Sequence, residues 1–181
     1  MLAEYKAEIL NEFVERNEIE NVIELGCGDG NQLSIANYKS YIGLDISKTA
    51  IQICNEKFEH DPTKSFIQIN PLTFFDTHKL IKADLALSLD VIFHLTEEEM
   101  FNAYMKMLFN SSNKFVIIYS SNKDHFEAPH LKDRKFTDWI DRNELGWTLV
   151  EKIDNKFKHD KKDEINTSRS DFYIYKKLNS K

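Results

Sequence analysis

Apolar side chains recur along this chain in two alternating rhythms. Leu2, Tyr5, Ile9, Leu10, Phe13 and Val14 fall at helical spacing, which predicts an amphipathic helix over 3–16. Short apolar runs at 22–25, 41–46, 65–69, 84–89 and 114–119 have the length of buried strands, and the fourth is apolar on both faces. Helices are predicted between them: a short one over 31–38, one from an N-cap at Ser47 through Phe58, a loose one over 74–81, and one from 96 to about 109. Thr96 and Glu99 have the spacing of a capping box, and the acids of Glu97-Glu98-Glu99 suit the helix dipole. Asp61-Pro62 breaks the chain, and Asn70-Pro71 ends the third strand. The stretch 120–135 is polar without clear periodicity, 136–145 reads as helical, and 147–155 and 171–177 read as two last strands. The charged run 158–163 between those strands reads as a mobile turn.

Strands alternating with helices imply a parallel sheet with right-handed crossovers. Two strands without an intervening helix imply an antiparallel hairpin at one edge. The 181 residues suit one α/β domain spanning 1–181, with 1–18 as an N-terminal helix and neither repeat nor linker. The balance of 24 basic against 30 acidic side chains argues against a partner held by its phosphate backbone, so no nucleic acid is expected. No apolar run approaches the ~20 residues of a membrane span. The acids near the N-terminus do not suit a signal peptide. Cys27 and Cys54 are too few for a disulfide scaffold, and a reduced, cytoplasmic setting is expected.

The strongest chemical signal is Val22-Ile23-Glu24-Leu25-Gly26-Cys27-Gly28-Asp29-Gly30, a strand running into a glycine-rich turn. Glycines let a backbone turn sharply and approach a ligand closely. One strand later, Asp45 stands where a carboxylate hydrogen-bonds ribose hydroxyls. A dinucleotide fingerprint has G-x-G-x-x-G spacing and a pyrophosphate at the helix N-terminus. Here the spacing is G-x-G-x-G, Asn31 takes the place of the last glycine, and Glu24 and Asp29 oppose a pyrophosphate. The acids suit S-adenosylmethionine, whose sulfonium and ammonium are cationic. The plainer reading is a tight strand–helix connection without a ligand.

With these segments in view, the chain resembles the class I S-adenosylmethionine-dependent methyltransferases. Glu24–Gly30 resembles their first motif, 43–47 their second-strand segment, 66–72 their third-strand end and 84–95 their fourth-strand motif. The resemblance implies a Rossmann-like, seven-stranded, mostly parallel sheet with an antiparallel edge hairpin and helices on both faces. It implies that Glu24, Gly26 and Gly28 shape the methionine pocket, with Cys27 and Asp29 in the same cofactor loop. It implies that Asp45 grips the ribose, Ile46 packs on the adenine, Asn70 and Pro71 edge the adenine, and Asp90 and Val91 lie near the methionine. Asn70 departs from the commoner acid, but an amide both donates and accepts.

Methyl transfer is an in-line displacement, and a hydroxyl acceptor gains from a general base. His94 follows the fourth strand; His125 and His130 follow the fifth, where 120–135 is the expected active-site loop. His94 and His130 are the candidate bases, and Arg134 is a candidate clamp for an acceptor phosphate or carboxylate. The alternative readings are a residue packed beside Phe93 for His94 and an ordinary surface charge for Arg134. His125 has the neighbours of a solvated turn. Asp90, Asn122 and Asp124 offer oxygen ligands to a divalent cation, but the expectation is that no metal is bound. The [DNS]-P-P-[YFW] signature of base-amino methyltransferases is replaced by Leu89-Asp90-Val91-Ile92. A small soluble acceptor is therefore expected, with a sugar or nucleotide-sugar hydroxyl first. Residues 130–140 faintly resemble small bacterial methyltransferases of surface-glycan synthesis. The alternatives are an N-methyltransferase on a small molecule, a non-catalytic binding domain and, remotely, an NAD-dependent oxidoreductase.

Overall fold

A computed structural model describes residues 1–128, 131–163 and 165–178, and for 125–128 the backbone alone. The chain opens with α1 (Leu2–Arg16), followed by β1 (Asn21–Leu25), β2 (Ser40–Asp45), α2 (Lys48–Lys57), β3 (Lys64–Gln68) and β4 (Ala83–Leu89). Next come α3 (Glu98–Asn110), β5 (Ser112–Ser120), β6 (His125–Ala128), β7 (Leu131–Asp133), α4 (Phe136–Asn143), β8 (Trp147–Ile153) and β9 (Asp171–Lys177). The main sheet has seven strands in the order β3-β2-β1-β4-β5-β9-β8. β1 to β5 pair in parallel, while β9 enters antiparallel between β5 and β8. This is the expected Rossmann-like α/β sheet with its antiparallel edge hairpin.

Strand alternation sorts the core into two faces. Leu85 and Leu87 of β4 and Phe115, Ile117 and Tyr119 of β5 pack with Leu10 and Phe13 of α1 and Ile51 of α2. Ala86, Val116 and Ile118 face the other way, onto Phe101 and Met105 of α3 and Phe136 and Ile140 of α4. The helix register therefore follows the apolar stripes, and Ser47 caps α2 by accepting from the Ala50 amide at 3.2 Å.

Four expectations are corrected. The helix expected over 31–38 is a single 3₁₀ turn at Leu33–Ile35, after which Ala36 is extended. Ser34 Oγ donates to the Gly30 carbonyl and Gln32 Nε2 to the Ala3 carbonyl instead. The helix expected over 74–81 is absent because the Asp76 carboxylate accepts from the Leu80 and Ile81 amides, both at 2.8 Å, and Lys79 sits at φ +53°. Glu97, not Thr96, is the N-cap of α3, and among the described residues no side chain caps it. Thr96 is drawn into the preceding turn, its amide donating to the His94 carbonyl and its own carbonyl accepting from Arg134. Within 120–135, β6 and β7 form a two-stranded antiparallel ribbon. Among the described residues no helix is long and apolar enough to cross a membrane.

Candidate functional site

The strand order reverses between β1 and β4, and open parallel sheets bind ligands at the carboxyl ends of strands beside such a reversal. A cavity of about 420 Å³ lies there. Gly26 comes to it from the turn after β1, Asp45 and Ile46 from the end of β2, Pro71 from the segment after β3, Asp90 and Val91 from the turn after β4, and His94 from the 3₁₀ turn Ile92–His94. Leu95, Met100 and Met107 add an apolar side. Seven residues named from sequence thus converge on one space, although they span positions 26 to 94.

The remaining loop residues hold the cavity's shape. Gly26, Gly28 and Gly30 have φ of +83°, +57° and +72°. At Gly28 a Cβ meets no heavy atom within 4 Å, so the backbone there is open to an approaching ligand. The Gly26 amide donates to the Leu44 carbonyl at 2.7 Å, and the Gly28 amide donates to Asp45 Oδ2 at 3.0 Å. Asp29 closes the turn on Asn31, and Lys57 reaches the Asp29 carbonyl at 2.9 Å. Cys27 is buried beneath the loop, with its thiol pushed well up by burial, while the Cys54 thiol donates to the Gly28 carbonyl at 3.2 Å. Asn70 is spent on its own turn, Oδ1 accepting from the Leu72 amide at 3.0 Å.

Glu24 is 4% exposed, and its Oε2 accepts from the Tyr41 hydroxyl at 2.7 Å. Burial pushes its carboxyl up to about 7, opposed by the Tyr41 hydrogen bond and the Lys6 charge. A buried acid of this kind gains from a cation placed over the loop.

Asp90 has φ +58°, a strained backbone for a residue with a side chain. Its amide donates to the Tyr119 carbonyl at 2.9 Å, Oδ2 takes the Lys6 ammonium at 2.8 Å and Oδ1 takes the Ser170 hydroxyl at 3.1 Å. Neither Lys6 nor Ser170 was read as part of the site; both come from distant segments and carry no local signal. Tyr104, also missed, lines the cavity, with its hydroxyl 2.8 Å from the Leu25 carbonyl and 2.7 Å from the Ser88 hydroxyl. Its place in the apolar stripe of α3 read only as core.

Arg134 does not line this cavity. It is 7% exposed, donates to the Leu95 carbonyl from Nε at 3.2 Å and Nη2 at 3.0 Å, reaches the Thr96 carbonyl, and pairs with Glu98 at 2.6 Å. Its guanidinium also lies 4.4 Å from the Phe101 ring centroid. It therefore braces the turn that carries His94. His130 lies outside the described residues, and nothing of the His125 side chain is described. Of the oxygen ligands offered by the sequence, Asp90 holds Lys6 and Ser170, Asn122 bonds Thr137, and Asp124 accepts from the Lys135 amide.

A family profile described as a methyltransferase domain matches residues 17–167. No curated protein matches the chain in sequence. Among solved structures, the methyltransferase domain of bacterial CtHen1-C is 20% identical, with TM-score 0.75 over 99% of this chain and 100% of that one. The N-methyltransferase NodS from Bradyrhizobium japonicum WM9 in complex with S-adenosyl-L-homocysteine is 15% identical, with TM-score 0.73 over 97% of this chain and 86% of that one. Magnesium protoporphyrin IX methyltransferase (ChlM) from Synechocystis PCC 6803 with bound SAH is 15% identical, with TM-score 0.70 over 96% of this chain and 83% of that one. Likeness at these identities establishes the fold.

Proposed function

The chain belongs to the methyltransferase-domain family, and from that premise we propose that it methylates a hydroxyl of a small sugar or nucleotide-sugar acceptor, using S-adenosylmethionine. The observation that carries this reading is the presence of His94 in the same cavity as Gly26, Asp45, Ile46 and Asp90. The residues fit the cofactor. The open backbone at Gly28 accepts close approach, the Asp45 carboxylate faces the cavity for hydroxyls, and the acid beneath the loop suits a cation. Ile46, 53% exposed at the cavity wall, offers an apolar surface to a planar base. When bound, S-adenosylmethionine supplies a sulfonium methyl group.

The protein's own part is then alignment and proton removal. Asp90 and Val91 wall the methionine end. His94 Nδ1 or Nε2 would accept the acceptor's hydroxyl proton as that oxygen bonds the methyl carbon and the carbon–sulfur bond breaks, the sulfur keeping the electron pair as S-adenosylhomocysteine. Arg134 acts through His94 as a positioning residue, because it ties the Leu95 and Thr96 carbonyls in place. The neighbouring N-methyltransferase NodS supports a second reading, an amine acceptor that needs no base.

Calorimetric titration with S-adenosylmethionine, S-adenosylhomocysteine and NAD, followed by a methyl-transfer screen over sugars, nucleotide sugars and amines, tests both readings. The first two ligands are expected to bind at micromolar concentration and NAD not at all. Transfer to amines alone, unaffected by His94→Ala, would replace the hydroxyl reading by the amine one.

A further inference from the structure

A second cavity, of about 230 Å³, opens beside the first, lined by Phe93, Asp133, His159, Arg169 and Ser170 among others. The two share a wall. Phe93 lines one and His94 the other, their rings 4.6 Å apart. Ser170, in the second cavity, donates to Asp90, in the first, at 3.1 Å. A ligand seated in the second cavity therefore stands next to the place where the first cavity's chemistry occurs.

Its charges select the ligand class. Arg169 Nη1 lies 3.4 Å from Asp133 Oδ2, and Asp133 is 8% exposed. Asp133 also accepts from the Ser121 hydroxyl, so both of its oxygens are engaged, and its charge offsets that of the Arg169 guanidinium. A phosphate or carboxylate gains from Arg169 and loses against Asp133. A neutral polyol meets no such opposition, and its hydroxyls, which both donate and accept, match the Thr167, Ser168 and His159 side chains of the lining. The Phe93 ring supplies an apolar face for ring C–H groups, and the His159 imidazole adds a polar edge. At 230 Å³ the cavity is smaller than the about 300 to 1,000 Å³ of sites for drug-sized ligands, which suits a single ring.

We infer that this pocket holds the non-reacting part of the acceptor, a neutral polyhydroxylated ring, and sets which of its hydroxyls faces His94. The inference rests on the methyl-transfer reading above and adds to it the anchoring site. Binding energy gathered at a remote ring is what aligns a reacting hydroxyl.

The test is amide chemical-shift mapping on the full ¹⁵N-labelled chain, with and without S-adenosylhomocysteine. The probes are methyl glycosides of common hexoses and, separately, inorganic phosphate. At least one glycoside is expected to shift the Phe93, Asp133, Arg169 and Ser170 amides. Arg169→Gln and the exposed His159→Ala are each expected to weaken that glycoside by about tenfold or more, with S-adenosylhomocysteine affinity unchanged. Shifts of these amides by phosphate with the glycosides silent would overturn the inference, as would silence of every probe while S-adenosylhomocysteine binds normally. Glycoside shifts in a protein that binds no S-adenosylhomocysteine would uphold the pocket and remove the methyl-transfer reading instead.

Discussion

Asp45 Oδ2 accepts the Gly28 amide at 3.0 Å, so the carboxylate at the end of β2 also fixes the glycine turn after β1. Its other oxygen takes the Ser47 amide at 2.8 Å, at the N-cap of α2. One side chain thus holds two backbone segments and still faces the cavity. Asp45→Ala removes both bonds and is expected to cost about 2 kcal/mol of stability, with a loss of S-adenosylhomocysteine affinity of about thirtyfold or more. Asp45→Asn keeps one accepting oxygen but turns an NH2 donor toward the other backbone amide, and is expected to regain only part of the stability while leaving affinity low. Calorimetric binding together with thermal melts separates the two effects. Unchanged affinity in the alanine variant would remove Asp45 from the cofactor site.

Gly26 and Gly28 stand two residues apart and answer differently to the same substitution. A Cβ on Gly26 lies 2.5 Å from Val91 Cγ2, at φ +83°. Gly26→Ala is therefore expected to destabilise the fold by about 3 kcal/mol, combining overpacking with left-handed strain. The double variant Gly26→Ala/Val91→Ala should recover part of that loss. At Gly28 no described atom beyond the flanking residues lies within 4 Å of a Cβ, so only the backbone cost of about 1 kcal/mol remains. Its main effect is expected on ligand affinity, because the methyl group occupies the space through which a ligand approaches. Equal stability losses in the two variants would contradict this division.

The contrast between these neighbours marks what the sequence carries. The turn, its glycines and the acids at Glu24 and Asp45 are legible because strand, turn and helix are contiguous in the chain. The sheet is legible because five apolar runs are separated by helix-length segments. Lys6 and Ser170 were not legible. Each acts on Asp90 from more than 75 positions away, and neither belongs to a local pattern. Arg134 was legible as a functional candidate only by position in the chain. Its bonds to Leu95 and Thr96 depend on how β7 lies against the turn before α3. The missing helix over 74–81 has a local cause, since one aspartate caps two amides and so stops propagation, a choice that apolar spacing does not register.

Glu24 ties the site to pH. Its folded-state carboxyl is pushed up to about 7 by burial, against 4.5 for the ordinary group. Between those values the folded protein holds a proton that the unfolded chain has released. Stability is therefore full below about 4.5, falls as pH rises toward 7, and levels off above it. The difference corresponds to about 3 kcal/mol. Glu24→Gln keeps an oxygen for the Tyr41 hydroxyl and removes the ionisation. The variant is expected to be more stable than the parent at pH 8 and nearly equal to it at pH 4.5. It should also bind S-adenosylhomocysteine more weakly at pH 8, where the parent has the carboxylate. Identical pH-stability curves for variant and parent would show that Glu24 titrates normally.

His94 and Arg134 are separable by kinetics. His94 lines the cavity, so His94→Ala should leave S-adenosylmethionine affinity within about threefold and lower kcat by about 10²–10⁴ for a hydroxyl acceptor. Arg134 touches neither cavity; it holds the Leu95 and Thr96 carbonyls and the Glu98 carboxylate around a guanidinium stacked on Phe101. Arg134→Lys keeps the charge but loses the planar fork, and a point cation does not bridge two carbonyls and a carboxylate in that geometry. The lysine variant is expected to lower kcat by about tenfold, with KM for the acceptor little changed and a reduced melting temperature, since misplacing the His94 turn affects alignment more than binding. Adding His94→Ala to Arg134→Lys should then cost little beyond His94→Ala alone, because a brace has no effect once the group it positions is gone. Fully additive losses in the double variant would mean that Arg134 works independently of His94.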